Sequence, residues 1–396
     1  MGFFGRKRAP SVPHPRKEPR FDGPLTLERL EQIFQDCVDF TKRPVSLGEG
    51  GACTLTLCYL SGMVKMERVS DYVLRPLAQD EALARCGTPR QAMEEMMGGA
   101  LYNLSAAERT TLDEAAFDLV AGWCLLFFPG ESAVLSLFVG TEEKRSISSP
   151  SNETVLKGSR DAFVESLRTN TSIVRRHLKA PELRIREQVV GRQSVTSVDI
   201  LYIEGLTNPH LVEQVAAQLA DIDIDAVLAT GNIEEYIVPA ARTAFPLVQY
   251  TERSDRFCAG LAEGRVGILI DGLPLGYLAP GVLGDFLQAP QDKSESWLLA
   301  SALTLLRYLC MLGTLLLPAL YVAMVTFHQE MIPTRLALSI IAAKQDVPFR
   351  SVFEVIVLLL AFEILQEAGL RLPQSIGQTV SIIGGLVVGS AAVEAK

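Results

Sequence analysis

Apolar residues change their spacing near residue 297. Before that point, short apolar runs end in glycine turns and alternate with segments in which apolar residues recur every three or four positions. Short runs of this kind are typical of buried strands, and the three-to-four spacing is typical of helices. After that point the apolar runs become long and continuous. The pattern predicts α/β structure first and an α-helical transmembrane region after it.

The α/β part contains the same pattern twice. Leu57–Gly62 resembles Leu201–Gly205 when the glycines are matched, at an offset of 143 positions. Gly122–Gly130 resembles Gly264–Gly272 at an offset of 142 positions. Both members of the second pair predict a strand, a two-residue turn and a second strand. Because the two landmarks share one offset to within a residue, we predict two repeated subdomains.

The predicted domain organisation has five parts. Residues 1–24 form a flexible basic tail with five prolines. The subdomains occupy residues 25–145 and 155–290, and residues 146–154 link them. Residues 297–396 form the helical membrane region.

Three apolar segments make up this membrane region. Tyr308–Phe327 has twenty residues without a charge, enough to cross about 30 Å of bilayer hydrocarbon. Ser375–Val393 has nineteen residues without a charge and contains Gly385 and Gly389, a GxxxG pair that permits close helix packing. Between them, Val352–Leu365 is apolar but includes two glutamates. We therefore expect a multi-pass protein.

Ionisable residues in and just after this central segment are candidate functional groups. A charge inside a membrane costs at least about 2.5 kcal/mol. Helical spacing places Glu363, Glu367 and Arg371 on one stripe and Glu354 on the opposite side. The stripe predicts either an ion pair at the membrane edge or the wall of a hydrated path. Glu354 is expected near a helix start, where the helix dipole tolerates an acid, or facing protein or water.

Composition restricts the class of protein. The chain has 37 Lys and Arg, 46 Asp and Glu, and a net charge of −9 at pH 7. Six residues of each sign lie after position 296, so the whole net charge lies before it. This unevenness argues against a purely soluble enzyme, and the lack of a basic stripe argues against a nucleic-acid partner. Seven scattered cysteines without a C-x-x-C pair indicate a reducing compartment, and no apolar run follows the basic tail to form a signal peptide.

One acidic cluster is a candidate metal site. Asp221–Asp225 alternates aspartate with isoleucine, but Ala226 and Asn232 stand where an EF-hand needs Gly and Glu. The cluster leaves two interpretations open: the site of a membrane-anchored cytoplasmic enzyme, or a helix-to-strand connection that buries its isoleucines. No catalytic constellation accompanies it, so we predict no enzyme, no cofactor and no resident metal.

Several motifs resemble the A subunit of GerA-type spore germinant receptors. They are Phe327–Thr334, Val347–Phe349, Glu363–Pro373, Ile376–Gln378, Ile383–Gly389, Gly264–Gly272, Asn152–Val155 and Gly158–Phe163. The first of them is a candidate juxtamembrane motif that contains Gln329, Glu330 and Pro333. The resemblance extends from about residue 150 to the end of the chain.

This resemblance implies a non-enzymatic protein of the inner spore membrane with a cytoplasmic N-terminal region. It implies that the protein triggers germination through oligomerisation and ion release. The implied partners are a polytopic, transporter-like B subunit, a lipoprotein C subunit, further copies of the chain and membrane lipid. An alternative is an A-like paralogue associated with the dipicolinate channel, which amplifies germination instead of sensing nutrients.

The chain departs from the family pattern at three places. Ser254 stands where the family often has the proline of an Arg-Pro-Asp motif, and Gln366 stands where an arginine is usual. The sequence also stops at Lys396, where the family continues into further spans. These departures lead to the expectation that this copy lacks a complete pore.

Overall fold

A computed structural model describes residues 20–47, 54–84, 86, 88–101, 105–140, 153, 161–227, 235–237, 245–289, 291–292, 295–345, 348–371 and 390. The chain divides into two compact units, Met1–Ser294 and Glu295–Lys396. The predicted linker, apart from Glu153, lies outside the described residues, as do Gly385 and Gly389. The predicted subdomain bounds stay predictions.

The first unit contains two five-stranded sheets. The strands are β1 Phe40–Ser46, β2 Thr54–Leu60, β3 Ala106–Arg109, β4 Trp123–Phe127, β5 Val134–Phe138, β6 Leu183–Val190, β7 Thr196–Ile203, β8 Gln249–Thr251, β9 Val266–Ile270 and β10 Gly276–Ala279. Its helices are α1 Leu27–Ile33, α2 Met66–Val69, α3 Arg75–Gln79, α4 Glu81–Ala84, α5 Pro89–Glu95, α6 Leu112–Val120, α7 Leu167–His177, α8 Pro209–Ala220, α9 Ser254–Ala262 and α10 Leu283–Leu287. Two π-helical turns, Ser70–Leu74 and Met96–Ala100, extend α2 and α5.

The two sheets have the same topology and the same register. Their strand orders are β1-β2-β4-β5-β3 and β6-β7-β9-β10-β8, and every pairing between these strands is antiparallel. Cys58 lies opposite Leu125 in the first sheet, and Leu201 lies opposite Gly267 in the second. The offset of 143 relates Cys58 to Leu201, and the offset of 142 relates Leu125 to Gly267. The predicted strands and hairpins are therefore confirmed as elements of a repeated fold.

Helices cover both faces of each sheet. Leu57 packs into a core with the helical segment after β2, whereas its neighbour Cys58 packs with α1 and α6. In the second sheet Ile200 packs with α8, and Leu201 packs with α7 and α9. Strands buried on both faces need apolar residues at successive positions, so these strands show continuous apolar runs instead of alternation.

Glycines of left-handed backbone conformation mark the same turns in both repeats. The φ angles are +83° and +77° at Gly62 and Gly205, +88° and +87° at Gly122 and Gly264, and +79° and +83° at Gly130 and Gly272. A Cβ at Gly122 would lie 3.0 Å from the carbonyl oxygen of Met63, and one at Gly264 would lie 3.2 Å from that of Leu206. Both positions therefore need glycine for its conformation and for its lack of a side chain.

The second unit is helical where the structure describes it. It contains α11 Trp297–Thr326, a 3-10 turn at Gln329–Met331, α12 Thr334–Lys344 and α13 Ser351–Arg371. Among the described helices, one is long and apolar enough to cross a membrane, and this is α11 with 30 residues. It contains the predicted Tyr308–Phe327 segment except Phe327, which caps it, and it begins eleven residues earlier. That the chain crosses the membrane several times stays a prediction.

We expect Gly122→Ala to lower the free energy of unfolding by about 3 kcal/mol, because the new Cβ meets a carbonyl oxygen and the backbone has a positive φ. Gly130→Ala is the matched control, because its φ is also positive but nothing lies within 4 Å of its Cβ. The control is expected to lose about 1 kcal/mol. Urea unfolding of the full chain in detergent, followed by Trp123 fluorescence in a Trp297→Phe background, measures both. Equal losses in the two variants would contradict the contact at Gly122.

Candidate functional site

A lysine joins the three described helices of the second unit. Lys344, the last residue of α12, donates from Nζ to Ser351 Oγ at 2.6 Å and lies 3.2 Å from Glu354 Oε2. The same ammonium lies 5.5 Å from the ring centroid of Tyr321 on α11. We call Tyr321, Lys344, Ser351 and Glu354 the Lys344 cluster. It neutralises the charge of Glu354 in an apolar unit, which lowers the free energy of keeping that acid there.

Glu354 lies in the first turn of α13, as the sequence predicts, but the helix dipole is not its main partner. Its partner is Lys344, which the sequence analysis missed. The sequence does contain a signal for this pair. One apolar helix ends in a lysine, Lys344, and the next begins with an acid, Glu354. The two side chains are only 22% and 28% exposed.

Two cavities adjoin the Lys344 cluster. One, of about 480 Å³, is lined by Tyr321, Lys344, Glu354 and apolar residues of α11 and α12, and Pro333 contributes to its wall. The other, of about 380 Å³, shares Lys344 and includes Gln329. The structure thus places two residues of the candidate juxtamembrane motif, Gln329 and Pro333, beside the cluster. Glu330 is exposed and lines neither cavity.

The predicted polar stripe lies away from this cluster. Glu363 and Glu367 are exposed on α13, on the side opposite to Glu354. Arg371 ends the helix, and its side chain lies outside the described part of the chain. The structure therefore places the two glutamates on an outward face of this unit.

A buried ion pair joins the two sheets of the first unit. Arg175 on α7 donates from Nε and Nη2 to the two carboxylate oxygens of Asp39, at 2.8 and 2.9 Å, and from Nη1 to the carbonyl oxygen of Leu183 at 3.0 Å. The side chains are 1% and 2% exposed. Both charges are therefore satisfied by each other and not by water.

Backbone contacts reinforce this junction. The amide of Val38 donates to the carbonyl oxygen of Ile185 at 3.0 Å, and the amide of Ile185 donates to that of Asp36 at 3.3 Å. Residues 36–38 thereby cover part of the free edge of β6, which would otherwise expose unpaired backbone groups. Sequence reasoning missed this junction, since neither residue of the ion pair belongs to a recognisable motif.

A second buried acid lies in the middle of β7. Asp199 is fully buried, accepts a hydrogen bond from Thr171 Oγ1 at 3.0 Å and lies 3.4 Å from Arg168 Nη1. Burial raises the pKa of this carboxyl from 3.8 to about 6, and Arg168 and Thr171 oppose that rise. Glu187 and Asp39 raise it slightly further.

The acidic cluster at Asp221–Asp225 forms a connection and not a site of convergent side chains. Asp223 is exposed and pairs with Arg192 at 2.7 Å, while Ile222 is buried and Ile224 packs against the same core. Within the described residues, no group of three or more His, Cys, Asp and Glu side chains could hold a metal ion. The geometry favours the helix-to-strand interpretation over the enzyme.

Ser254 lies against a histidine, but the contacts are not those of a nucleophile. Its Oγ lies 3.1 Å from His177 Nε2 and donates to the carbonyl oxygen of Asp161 at 3.1 Å. The carboxylate of Asp161 lies 3.6 Å from the same Nε2, whereas a catalytic triad uses the two ring nitrogens separately. The amide of Ser254 also donates to the carbonyl oxygen of Asp161 at 3.3 Å. A proline at this position could not donate this hydrogen bond.

Fold and site together define a class of protein: two repeats of a helix-covered antiparallel sheet, followed in the chain by an apolar helical unit in which Lys344 pairs with Glu354. The family model described as Bacillus/Clostridium GerA spore germination protein matches residues 28–396. The chain belongs to this family, and the resemblance seen in its motifs is confirmed.

Similar proteins carry related names. The chain is 38% identical to "Uncharacterized membrane protein YfkQ" of Bacillus subtilis, over 93% of this chain and 71% of that protein. It is 37% identical to "Spore germination protein KA" of B. subtilis, over 90% and 65%, and 34% identical to "Spore germination protein GerLA" of Bacillus cereus, over 90% and 72%. The chain thus spans about two thirds of the length of these relatives.

A solved structure is similar to the first unit. It is the crystal structure of the N-terminal domain of the A subunit of the Bacillus megaterium spore germinant receptor GerK3. The match has a TM-score of 0.51 and 27% sequence identity, and it covers 65% of this chain and 94% of that one. The two-sheet fold is therefore shared with a domain of a germinant receptor A subunit.

We expect Asp39→Asn to lower the free energy of unfolding by about 3–5 kcal/mol, because it leaves the Arg175 guanidinium buried without its charged partner. The matched control is Asp223→Asn, which removes one partner of an ion pair whose side chains are 69% and 67% exposed. That change is expected to stay within about 0.5 kcal/mol. Urea unfolding at pH 7 compares them, and a loss below 1 kcal/mol in Asp39→Asn, on the order of a surface pair, would show the buried pair to be dispensable.

We expect Asp199 to make stability fall as pH rises from about 4 to about 6. The raised pKa means that the folded state binds the proton more tightly than the unfolded state, so the stabilisation is present below pH 4 and is lost through pH 6. About two pKa units correspond to about 3 kcal/mol. Asp199→Asn should therefore gain stability relative to the parent chain as pH rises from 4 to 7, in urea unfolding at four pH values. A difference that does not change with pH would contradict the raised pKa.

Proposed function

We propose that this chain acts as the A subunit of a spore nutrient germinant receptor. The family match over residues 28–396, together with a first unit that has the fold of a receptor A-subunit domain, carries the proposal. The proposed partners are a transporter-like B subunit, a lipoprotein C subunit and further copies of the chain. No nucleic acid takes part.

The proposed location is the inner spore membrane, with the first unit in the cytoplasm. Helix α11 has the length and composition of a membrane span. The basic tail favours the cytoplasmic side for the N-terminus. All six cysteines in the described part of the chain are free, which agrees with a reducing compartment.

The two faces of α13 have different roles in this proposal. Glu354 is bound to Lys344 and holds the three helices of the unit together. Glu363 is exposed on an otherwise apolar helix, and a carboxylate facing lipid is unfavourable. We propose that a second copy or another subunit meets this face, and that Glu363, Glu367 and Arg371 line a hydrated path for the ions released in germination. The GxxxG pair Gly385 and Gly389 would let helices of the assembly pack closely.

We expect Glu363→Gln to reduce the initial rate of nutrient-triggered ion release by about tenfold, because a carboxylate lining a cation path attracts the ion. The measurement uses spores in which the chromosomal gene carries the substitution, with the native B and C subunit genes intact. Glu94→Gln is the control, because it removes a carboxylate that is 66% exposed on the surface of the first unit.

Assembly is measured in the same spores by recovering the B and C subunits with the tagged chain. Normal ion release by Glu363→Gln would contradict the proposed hydrated path. The remaining role for these residues would be an ion pair at a subunit contact. Recovery of the dipicolinate channel proteins in place of the B and C subunits would favour the paralogue and contradict the receptor assignment.

A further inference from the structure

The last helix of the first unit exposes large apolar side chains. Around α10, Val282, Leu283 and Phe286 are 54%, 52% and 43% exposed. Between Pro280 and Pro290 the sequence has one charged residue, Asp285, which is only 9% exposed. The outer surface of this segment therefore presents apolar side chains without an accompanying charge.

Ionic contacts fix the orientation of α10. Arg265 donates from Nη1 and Nη2 to the two carboxylate oxygens of Asp285, at 2.6 and 2.8 Å. Arg256 donates to the backbone carbonyl oxygen of Asp285 at 3.2 Å, and the amide of Val282 donates to the Asp285 carboxylate at 2.9 Å. The charged residue is thus turned inward, and the apolar residues are held outward by the fold itself.

Another exposed apolar residue belongs to the chain segment that runs beside the start of this helix. The amide of Gly281 donates to the carbonyl oxygen of Leu247 at 2.6 Å, so the chain before β8 runs beside the start of α10. Phe245, two positions before Leu247, is 70% exposed. Large exposed apolar residues close together on a soluble surface mark an interaction site.

Chain continuity limits how far this surface lies from the membrane. Ten residues separate Phe286 from Trp297, the first residue of α11, and a connection of this length spans at most about 40 Å when fully extended. Trp297 is 79% exposed, and tryptophan at the start of a span is typical of the membrane interface. A surface tethered this close to a span, apolar and without outward charge, fits lipid better than an aqueous partner.

We propose that Val282, Leu283 and Phe286 form a membrane-contacting face that lies in the headgroup region of the bilayer beside the point where the chain enters it. The inference rests on the membrane placement of α11 proposed above. The Arg265–Asp285 pair positions this face by holding α10 against the second sheet.

Spin-label accessibility in the full chain tests this inference. Nitroxide labels are attached one at a time to cysteines at Leu283, Phe286, Val189 and Leu315, with Cys53, Cys86 and Cys310 replaced by serine. The protein is reconstituted in vesicles of phosphatidylethanolamine and phosphatidylglycerol. Val189 is the matched control, because it is 58% exposed on β6, and Leu315 on α11 reports membrane insertion.

We expect the ratio of collisions with oxygen to collisions with a water-soluble nickel complex to be at least about threefold higher at Leu283 and Phe286 than at Val189, because oxygen concentrates in lipid. A ratio equal to that of Val189, with Leu315 in lipid, would overturn the inference and leave the proposed function intact. A water-like ratio at Leu315 would contradict the membrane placement itself. Low accessibility to both reagents, unchanged when detergent replaces lipid, would identify a protein partner and also overturn the inference.

Discussion

The buried ion pair between Asp39 and Arg175 is the contact on which the first unit depends. It joins residues 136 positions apart, one from each repeat, and both are almost completely buried. Buried charges are tolerated only when they are paired and hydrogen-bonded, so the pair forms only when the two sheets have one relative position. This explains how two sheets that each have their own core still belong to one compact unit.

The two repeats share their strand register, but their residues differ where one repeat contacts the other. The position that the offset relates to Asp39 is occupied by Glu182, which is also acidic and pairs with an arginine, Arg20, of the segment that precedes the first repeat. A Cβ at Gly62, however, would lie 3.1 Å from the Cβ of Ser172, whereas a Cβ at its counterpart Gly205 would have no neighbour within 4 Å. The two repeats therefore share one topology but differ in their surroundings, because only the first repeat places this glycine turn against the other repeat.

Local pattern was enough to predict the strands, the hairpins and their repetition, because left-handed glycines recur at one offset and the buried strands are continuous apolar runs. The same pattern did not predict strand direction or the covering of both faces, since apolar runs are alike in parallel and antiparallel sheets. Asp39, Arg175 and Lys344 were missed for a related reason. Each is a single charged residue whose partner is defined only by the fold, whereas Glu363 and Glu367 stand out because they interrupt an apolar helix.

If the Asp39–Arg175 junction holds the two repeats together, they form one rigid unit. Pulsed electron–electron double resonance on the full chain measures the distance between the repeats directly. Nitroxide labels are attached to cysteines at Tyr72 and Tyr250, with Cys53, Cys86 and Cys310 replaced by serine. Both positions are exposed, and they lie in different repeats. We expect a single narrow distance distribution that broadens in Asp39→Asn. A broad or two-peaked distribution in the parent chain would contradict it.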